Sequence, residues 1–333
     1  RLDAFGQILN AVAVEFLGIP GNRHVPDAPV SFPVLWDASH LGFVQWNGSA
    51  PNAGPGPLLQ NVTTAMAVYG SLEVASHSGV AGYPSSVDFD QLGKIQNWFY
   101  KLKSPKWPQS VLGKLDGEQV ARGAKVYGAQ CLGCHAISDR NDAKRQLTAT
   151  LTPLDVIGTD PKMVRNFLDA KAQTGPWQGR KVAVVAGDAF GAQAQTIDLV
   201  AHAAIGATLR HPLAAVRDTA SSWHTVYKAG IAKHPDYYKA RPLSGIWASA
   251  PYLHNGSVSS LADLLTAPAA RMATFHVGSR ELDPVKVGLA TDAGPNTVLF
   301  DTSEPGNSNA GHDIGTGLAQ ADKLDLLEYL KSL

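Results

Sequence analysis

Cys131-Leu132-Gly133-Cys134-His135 decides how this chain is read, because it uses both cysteines of the protein and sets a histidine directly after the second. C-x-x-C-H is the pattern of covalent c-type haem attachment. Two thiols one helical turn apart can add to the two vinyl groups of one porphyrin, while the adjoining imidazole rises beneath the iron. A redox dithiol also uses C-x-x-C but is expected after a strand, and a zinc site needs further ligands at close spacing. No second cysteine pair exists, so one covalent haem c is the reading preferred over either alternative.

Upstream of the motif, Asp116 with Gln119 three residues later forms a capping-box pattern, and Val120, Gly123, Val126 and Tyr127 carry a helix into it. At the far end of the chain, Leu324, Leu327 and Leu330 form a stripe at helical spacing with Tyr329 beside it. These two helices are expected to cross over the haem edge. Ser104 to Lys114, where prolines and lysines replace the apolar period, reads as a linker. It divides the chain into an N-terminal region, residues 1–104, and a haem-binding domain, residues 105–333.

In the N-terminal region, Leu2, Phe5, Leu9, Val12 and Phe16 predict a helix that begins almost at Arg1. Asn22 to Pro57 is rich in Pro, Gly and Asn and reads as loop, and helices are expected over Leu59–Leu72 and Ser86–Lys103, the latter with Leu92, Ile95 and Phe99 on one face. Strand alternation is scarce apart from Lys181 to Val185. The fold class expected is mainly α, a cytochrome c-like domain with long loops.

Composition narrows the setting. A chain of 333 residues exceeds the usual growth of one hydrophobic core, so two domains or one decorated domain are expected. Twenty-eight basic and 28 acidic residues give a formal net charge of zero, which argues against nucleic acid as a partner. No apolar run is long enough to span a bilayer, and no leader pattern stands at the start, so a signal has been removed or the chain is a piece of something longer. Covalent haem attachment belongs to the oxidising side of a bacterial membrane, which places the protein in the periplasm or outside the cell.

His135 supplies one axial ligand, and the sixth position decides the chemistry: a second strong ligand makes an electron carrier, an open position admits oxygen or peroxide. The candidates are His24, His40, His77, His202, His211, His224, His234, His254, His276 and His312, with Met66, Met163 and Met272. His312 follows a small-residue loop, Gly306-Asn307-Ser308-Asn309-Ala310-Gly311, of the kind that can approach a porphyrin closely. His254 lies in the turn-rich stretch Ala250-Pro251-Tyr252-Leu253-His254-Asn255-Gly256 and could equally hydrogen-bond a haem propionate. Spacing does not separate these two. Met272 and His276 are weaker candidates, because Met272 can simply fill an apolar gap.

The run Lys239-Ala240-Arg241-Pro242-Leu243-Ser244-Gly245-Ile246-Trp247-Ala248-Ser249-Ala250-Pro251-Tyr252-Leu253-His254-Asn255-Gly256-Ser257-Val258 resembles the signature of the bacterial dihaem cytochrome c peroxidase superfamily, closest to its rubber-oxygenase branch. The Gly306 to His312 loop and the last helix, Leu324 to Leu333, fit that branch too. Members of the family have two c-type haem domains facing each other, an active haem in the first and an electron-transfer haem in the second. The resemblance places Cys131, Cys134 and His135 at the second haem and favours His312 over His254 as distal ligand, giving a bis-histidine iron, with His254 and Arg241 as haem-edge contacts. It also makes Trp46, in Gln45-Trp46-Asn47-Gly48, a candidate electron relay between the haems. Asp27-Ala28-Pro29 and Ser249-Ala250-Pro251 resemble the elements that hold calcium in the peroxidases, through Asp27, Ser249 and Pro251.

The chain departs from the family in having one C-x-x-C-H rather than two. The resemblance implies that the missing motif lies upstream of Arg1 or on a partner chain, so that residues 1–104 are the remainder of the active-haem domain. The peroxidase's distal acid is also missing from Asn61-Val62-Thr63-Thr64-Ala65-Met66, which leaves an oxygenase-like pocket lined by residues such as Leu59. The function implied is an oxidoreductase of the peroxidase or oxygenase type that exchanges electrons with a periplasmic donor or acceptor. A monohaem electron carrier and a monohaem enzyme using this iron directly are the alternatives.

Overall fold

The structure is a computed structural model and describes residues 1–68, 70–74, 81–221 and 236–333. His77, His224 and His234 lie outside the described residues.

The two helices flanking the haem motif meet as expected. Gly117–Gln130 is capped by Asp116, whose carboxylate accepts the amides of Glu118 and Gln119 at 2.9 and 3.1 Å. The return half of the capping box is taken over from a distance: Glu328 on the last helix, Gln320–Ser332, accepts the Asp116 amide at 2.8 Å. Gly123 is where the two helices cross. A Cβ there would lie 1.9 Å from the carbonyl oxygen of Asp325, so only glycine lets the backbones approach this far. Arg122 then reaches across and donates to both oxygens of Asp325 at 2.7 and 2.9 Å. The buried leucines of the last helix are Leu326, Leu327 and Leu330, while Leu324, expected in the stripe, is exposed.

Those leucines join Tyr127, Tyr252, Val258, Leu261, Leu265 and Val287 in one core. Burying each large apolar side chain contributes about 1.5–3 kcal/mol. Residues 104–114 pack onto this unit. Trp107 is buried edge-on against Trp247, with ring centres 5.4 Å apart, and Trp247 Nε1 donates to the Pro105 carbonyl at 3.2 Å.

A second and larger core lies away from the motif. The N-terminal helix runs over Ala4–Asn10, capped by Asp3, and continues as a wider π turn over Ala11–Phe16. It packs with helix Gly56–Val68 and the strongly apolar helix Thr196–Leu209 around Leu9, Val12, Val62, Trp177 and Leu199. This core therefore draws on residues from both sides of position 104. Leu59 packs against it, with Val62 and Met66 fully buried beside it. In helix Phe89–Phe99 the buried residues are Phe89, Gly93 and Gln96; of the predicted stripe Leu92 packs against the core partly buried, Phe99 is half-buried and Ile95 is exposed. Asn61 explains the rotation: its side chain donates to Gln96 at 2.7 Å, a polar pair that apolar periodicity does not register.

The expectation of a mainly α class is corrected. Helix takes up 39% and strand 14%, and the described residues contain five antiparallel two-stranded sheets. Their strands are two to four residues long. Such pieces are too short for a period of two to stand out from loop. Lys181 to Val185, expected as a strand, is a tight turn with isolated bridges, and Val184 has φ of 64°. The sheet that matters for the site pairs Thr150–Pro153 with Tyr237–Ala240. Among the described residues no helix is long and apolar enough to cross a membrane.

Gly123→Ala forces the crossing helices apart and is expected to lower unfolding stability by about 2–3 kcal/mol. Denaturant unfolding of the haem-loaded protein measures this, and a change within about 0.5 kcal/mol would contradict the close crossing.

Candidate functional site

The haem motif is the turn that follows helix Gly117–Gln130, with Cys131 as its C-cap. The Cys131 amide donates to Tyr127 at 2.9 Å, and the amides of Cys134 and His135 both turn back onto the Cys131 carbonyl at 3.1 and 2.8 Å. This keeps both thiols and the imidazole on one hydrogen-bonded turn. Tyr127 Oη donates to the His135 carbonyl at 2.6 Å and pins the motif to the core. Burial pushes the Cys131 thiol up to about 11, whereas Cys134 is exposed.

His135 Nδ1 lies 2.7 Å from the carbonyl of Arg241, just beyond strand Tyr237–Ala240. A carbonyl only accepts, so Nδ1 carries the proton and Nε2 keeps its lone pair for a metal. Burial pushes the imidazole pKa down, reinforced by the Arg241 guanidinium and opposed by the bond to the Arg241 carbonyl, which holds His135 in the neutral, ligating form.

His312 faces it. The ring centres of His135 and His312 are 6.3 Å apart with planes inclined by 46°. An iron between two imidazole nitrogens at about 2 Å each, with about 1 Å from each nitrogen to its own ring centre, would separate the rings by about 6 Å. The two histidines thus fit a bis-histidine haem. Burial, with the nearby His135 second, pushes the His312 pKa down to about 4, so this ring is also neutral near pH 7. Its Nδ1 is buried without a partner among the described groups.

The loop bearing His312 is held on three sides. Gly311 and His312 have φ of 72° and 53°, and the His312 amide donates to Ile157 at 2.9 Å. A Cβ on Gly311 would lie 2.3 Å from the Gly158 backbone, so glycine is required where the loop meets that turn. Asp160, beyond the turn, accepts the Ser308 amide at 3.0 Å, and its carbonyl accepts Tyr238 Oη at 2.7 Å. From a second side, Asn255 donates to the carbonyls of Gly306 and Ser308 at 3.1 and 2.9 Å. From the third, buried Arg271 makes five hydrogen bonds, to the carbonyls of Thr266, Asn309, Gly311, Leu264 and His312, at 3.1, 2.6, 2.8, 3.2 and 3.1 Å. These match the five donors of a guanidinium.

The other candidates fall elsewhere. His254 stacks on Tyr238 with ring centres 4.1 Å apart, and burial pushes its pKa down to about 3. It is a packing residue whose neighbour Asn255 ties down the His312 loop. Trp46 is half-buried against the small core around Tyr238, with Nε1 donating to Ser31 at 3.0 Å. Its carbonyl accepts the Lys239 amide at 2.8 Å, so two hydrogen bonds and the short run 239–241 connect Trp46 with His135. Met163 and Met66 are core residues, and His40 and His202 are occupied by buried hydrogen bonds. His24 bonds the Lys171 carbonyl, His211 stacks on Phe89, and His276 sits in a strand paired with Leu299. Met272 is exposed.

The residues expected for calcium make these contacts. One oxygen of Asp27 accepts from Asn166 at 2.8 Å and the other pairs with the Lys162 ammonium at 3.0 Å, while Ser249 Oγ donates to the Ile246 carbonyl. Each carboxylate oxygen of Asp27 thus already has a protein partner. Among the described residues no three His, Cys, Asp or Glu side chains come together as a metal site, so the cysteine pair also lacks the further ligands zinc needs.

Residues 237–276 match the family model described as RoxA-like, cytochrome c-like. The match supports a RoxA-like cytochrome c family. Two relatives come from Sinorhizobium fredii (strain NBRC 101917 / NGR234), both described as uncharacterized proteins. The protein y4iJ is 32% identical over 382 residues, covering 100% of this chain and 59% of its own length. The protein y4iM is 27% identical over 338 residues, covering 93% of this chain and 67% of its own. The chain thus spans about three-fifths of the length of y4iJ. The RoxA-like stretch contains the Arg241 carbonyl that orients His135 and both Asn255 and Arg271, which hold the His312 loop. A c-type haem protein is what the match and the motif together suggest.

Arg271→Met leaves five part-buried carbonyls without their donor and is expected to cost about 2–4 kcal/mol of unfolding stability, with Arg271→Lys intermediate; equal stability of all three proteins in denaturant would contradict the clamp. His254 has a depressed folded pKa, so the unfolded chain binds the extra proton first. Its stabilising contribution is complete above its ordinary value of 6.5 and is lost as pH falls towards about 3. In thermal unfolding across that range, His254→Phe is expected to flatten the acid limb; an identical pH profile would contradict the assignment.

Proposed function

We propose that this chain carries the electron-transfer haem of a peroxidase- or oxygenase-type oxidoreductase, on the oxidising side of a bacterial membrane. The observation that carries the reading is the face-to-face pair His135 and His312, with ring centres 6.3 Å apart. Two strong axial ligands leave no open position for peroxide or oxygen, and bound haem c would supply one-electron chemistry here.

The protein's own residues then act as a rigid holder. Cys131 and Cys134 would form the thioethers, and the Arg241 carbonyl keeps His135 Nε2 directed at the metal. Arg271 and Asn255 keep the opposite ligand in place, so that oxidation and reduction require little rearrangement. Trp46, connected to His135 through Lys239 and Arg241, would be the relay toward an active haem on a further segment or partner chain. Support for that second haem is the resemblance of the signature run, and the mate on the donor side would be a periplasmic redox protein.

His312→Ala is the direct test. The ferric haem-loaded wild type is expected to be six-coordinate and low-spin and not to react with hydrogen peroxide. The variant is expected to become high-spin and to bind small ligands. An unchanged absorption and EPR spectrum in the variant would sink the ligand assignment and favour a haem that does its own chemistry.

A further inference from the structure

Tyr83, His202, Arg180 and Trp177 form a polar group set into the larger core, apart from the residues assigned to the haem. Tyr83 and Trp177 have no exposed surface, and His202 is 1% exposed. Glycines seat Tyr83 on helix Thr196–Leu209: a Cβ on Gly206 would lie 2.2 Å from the Tyr83 ring, and a Cβ on Gly82 would lie 2.4 Å from the Arg210 nitrogen. His202 Nδ1 lies 2.9 and 3.1 Å from the carbonyls of Lys181 and Val182. Carbonyls only accept, so Nδ1 carries the proton and Nε2 offers a lone pair. Tyr83 Oη, 2.8 Å from Nε2, therefore donates to it. Arg180 Nη1 donates to the same phenol oxygen at 2.7 Å. Trp177 stacks on Tyr83 with ring centres 5.9 Å apart, and its ring centre is 4.5 Å from that of His202.

Satisfying a buried phenol takes only one partner, and here a base receives its proton while a cation holds its oxygen. Burial pushes the Tyr83 phenol pKa up and the His202 imidazole pKa down, so at rest the proton stays on Tyr83 and the imidazole is neutral. Removing an electron from a phenol makes its proton strongly acidic. A base already in hydrogen-bond contact takes that proton without movement of either ring. Apolar neighbours, Trp177 stacked on the phenol and Phe190 set edge-on to His202 at 5.3 Å, keep water from supplying another path.

We propose that Tyr83 is a one-electron redox site, with His202 as its proton acceptor and Arg180 holding the phenol oxygen. The electron leaves for a peroxide-activated haem, the class of oxidant that the enzyme type proposed above would supply, and the proton moves from Tyr83 Oη to His202 Nε2. The products are a neutral phenoxyl radical, an imidazolium and an oxidant reduced by one electron. Return of one electron to the ring and of the proton from His202 restores the phenol. Trp177, itself oxidisable and stacked on Tyr83, is the adjoining step for the electron. The proposal rests on the peroxidase or oxygenase reading only for its natural oxidant; the site itself stands on its own contacts.

The test uses the haem-loaded chain and photogenerated ruthenium(III) tris-bipyridine as a one-electron oxidant, which can approach the group from the side of half-buried Arg180. Freeze-quench EPR and proton ENDOR follow, in light and heavy water. The wild type is expected to give a tyrosyl radical coupled to exchangeable protons. Tyr83→Phe, which keeps the ring on Gly206, is expected to lose that signal, and His202→Gln, which keeps an acceptor but no base, to lower its yield about tenfold. If Tyr83→Phe does not fold, His202→Gln decides alone. Absence of a tyrosyl radical in the wild type, an equal signal in Tyr83→Phe or an equal yield in His202→Gln would each overturn the proposal. The haem spin state recorded before the flash separates this from the ligand assignment: a low-spin wild type without the radical refutes only the tyrosine site, and a high-spin wild type with it refutes only the His312 ligation.

Discussion

The hydrogen bond between His135 Nδ1 and the Arg241 carbonyl is the interaction on which the site depends. It fixes the tautomer, raises the basicity of Nε2 and sets the ring plane at the end of the haem helix. It also joins two parts of the chain that are 106 residues apart. The acceptor is placed by the short sheet between Thr150–Pro153 and Tyr237–Ala240, and the donor by the crossing of helices Gly117–Gln130 and Gln320–Ser332 at Gly123. Sheet and helix crossing together fix where the imidazole points.

The opposite imidazole is presented by a loop, which has no ladder of its own to hold it. Ordering such a segment costs about 1–2 kcal/mol per residue in backbone entropy. That cost is offset by satisfying the loop's carbonyls from outside: Arg271 and Asn255 donate to five of them, at residues 306, 308, 309, 311 and 312. Left-handed backbone at Gly311 and His312 then turns the ring inward. The same logic recurs at the proximal side, where Lys239 and Arg241 are held by carbonyls of residues 34, 36 and 43. Both imidazoles thus have cationic side chains gripping backbone beside them, in addition to apolar packing.

Much of this was legible in the sequence, where local chemistry carries the information. CLGCH, the Asp116 cap and the helix leading into the motif depend on residues within a few positions of one another, and they appear where expected. The Gly- and Asn-rich loop made His312 one of two candidates and the family resemblance favoured it over His254; it is the ring that faces His135. Arg271 carried no local signal, because its partners at Asn309 and Gly311 lie about 40 residues away. The small sheets escaped for a related reason: strands of two to four residues are specified by their partners, as Thr150–Pro153 is by Tyr237–Ala240, and not by their own alternation. The lysine that pairs with Asp27 is likewise 135 residues further on, beyond the reach of any local pattern.

The central claim is that two imidazoles, His135 and His312, hold one haem iron between them. Near-infrared magnetic circular dichroism of the ferric haem-loaded chain, recorded with EPR on the same sample, tests it most directly. The account predicts a low-spin iron with the charge-transfer band and g-values of bis-imidazole ligation. A high-spin signal, or a low-spin signal of histidine–methionine type, would contradict it.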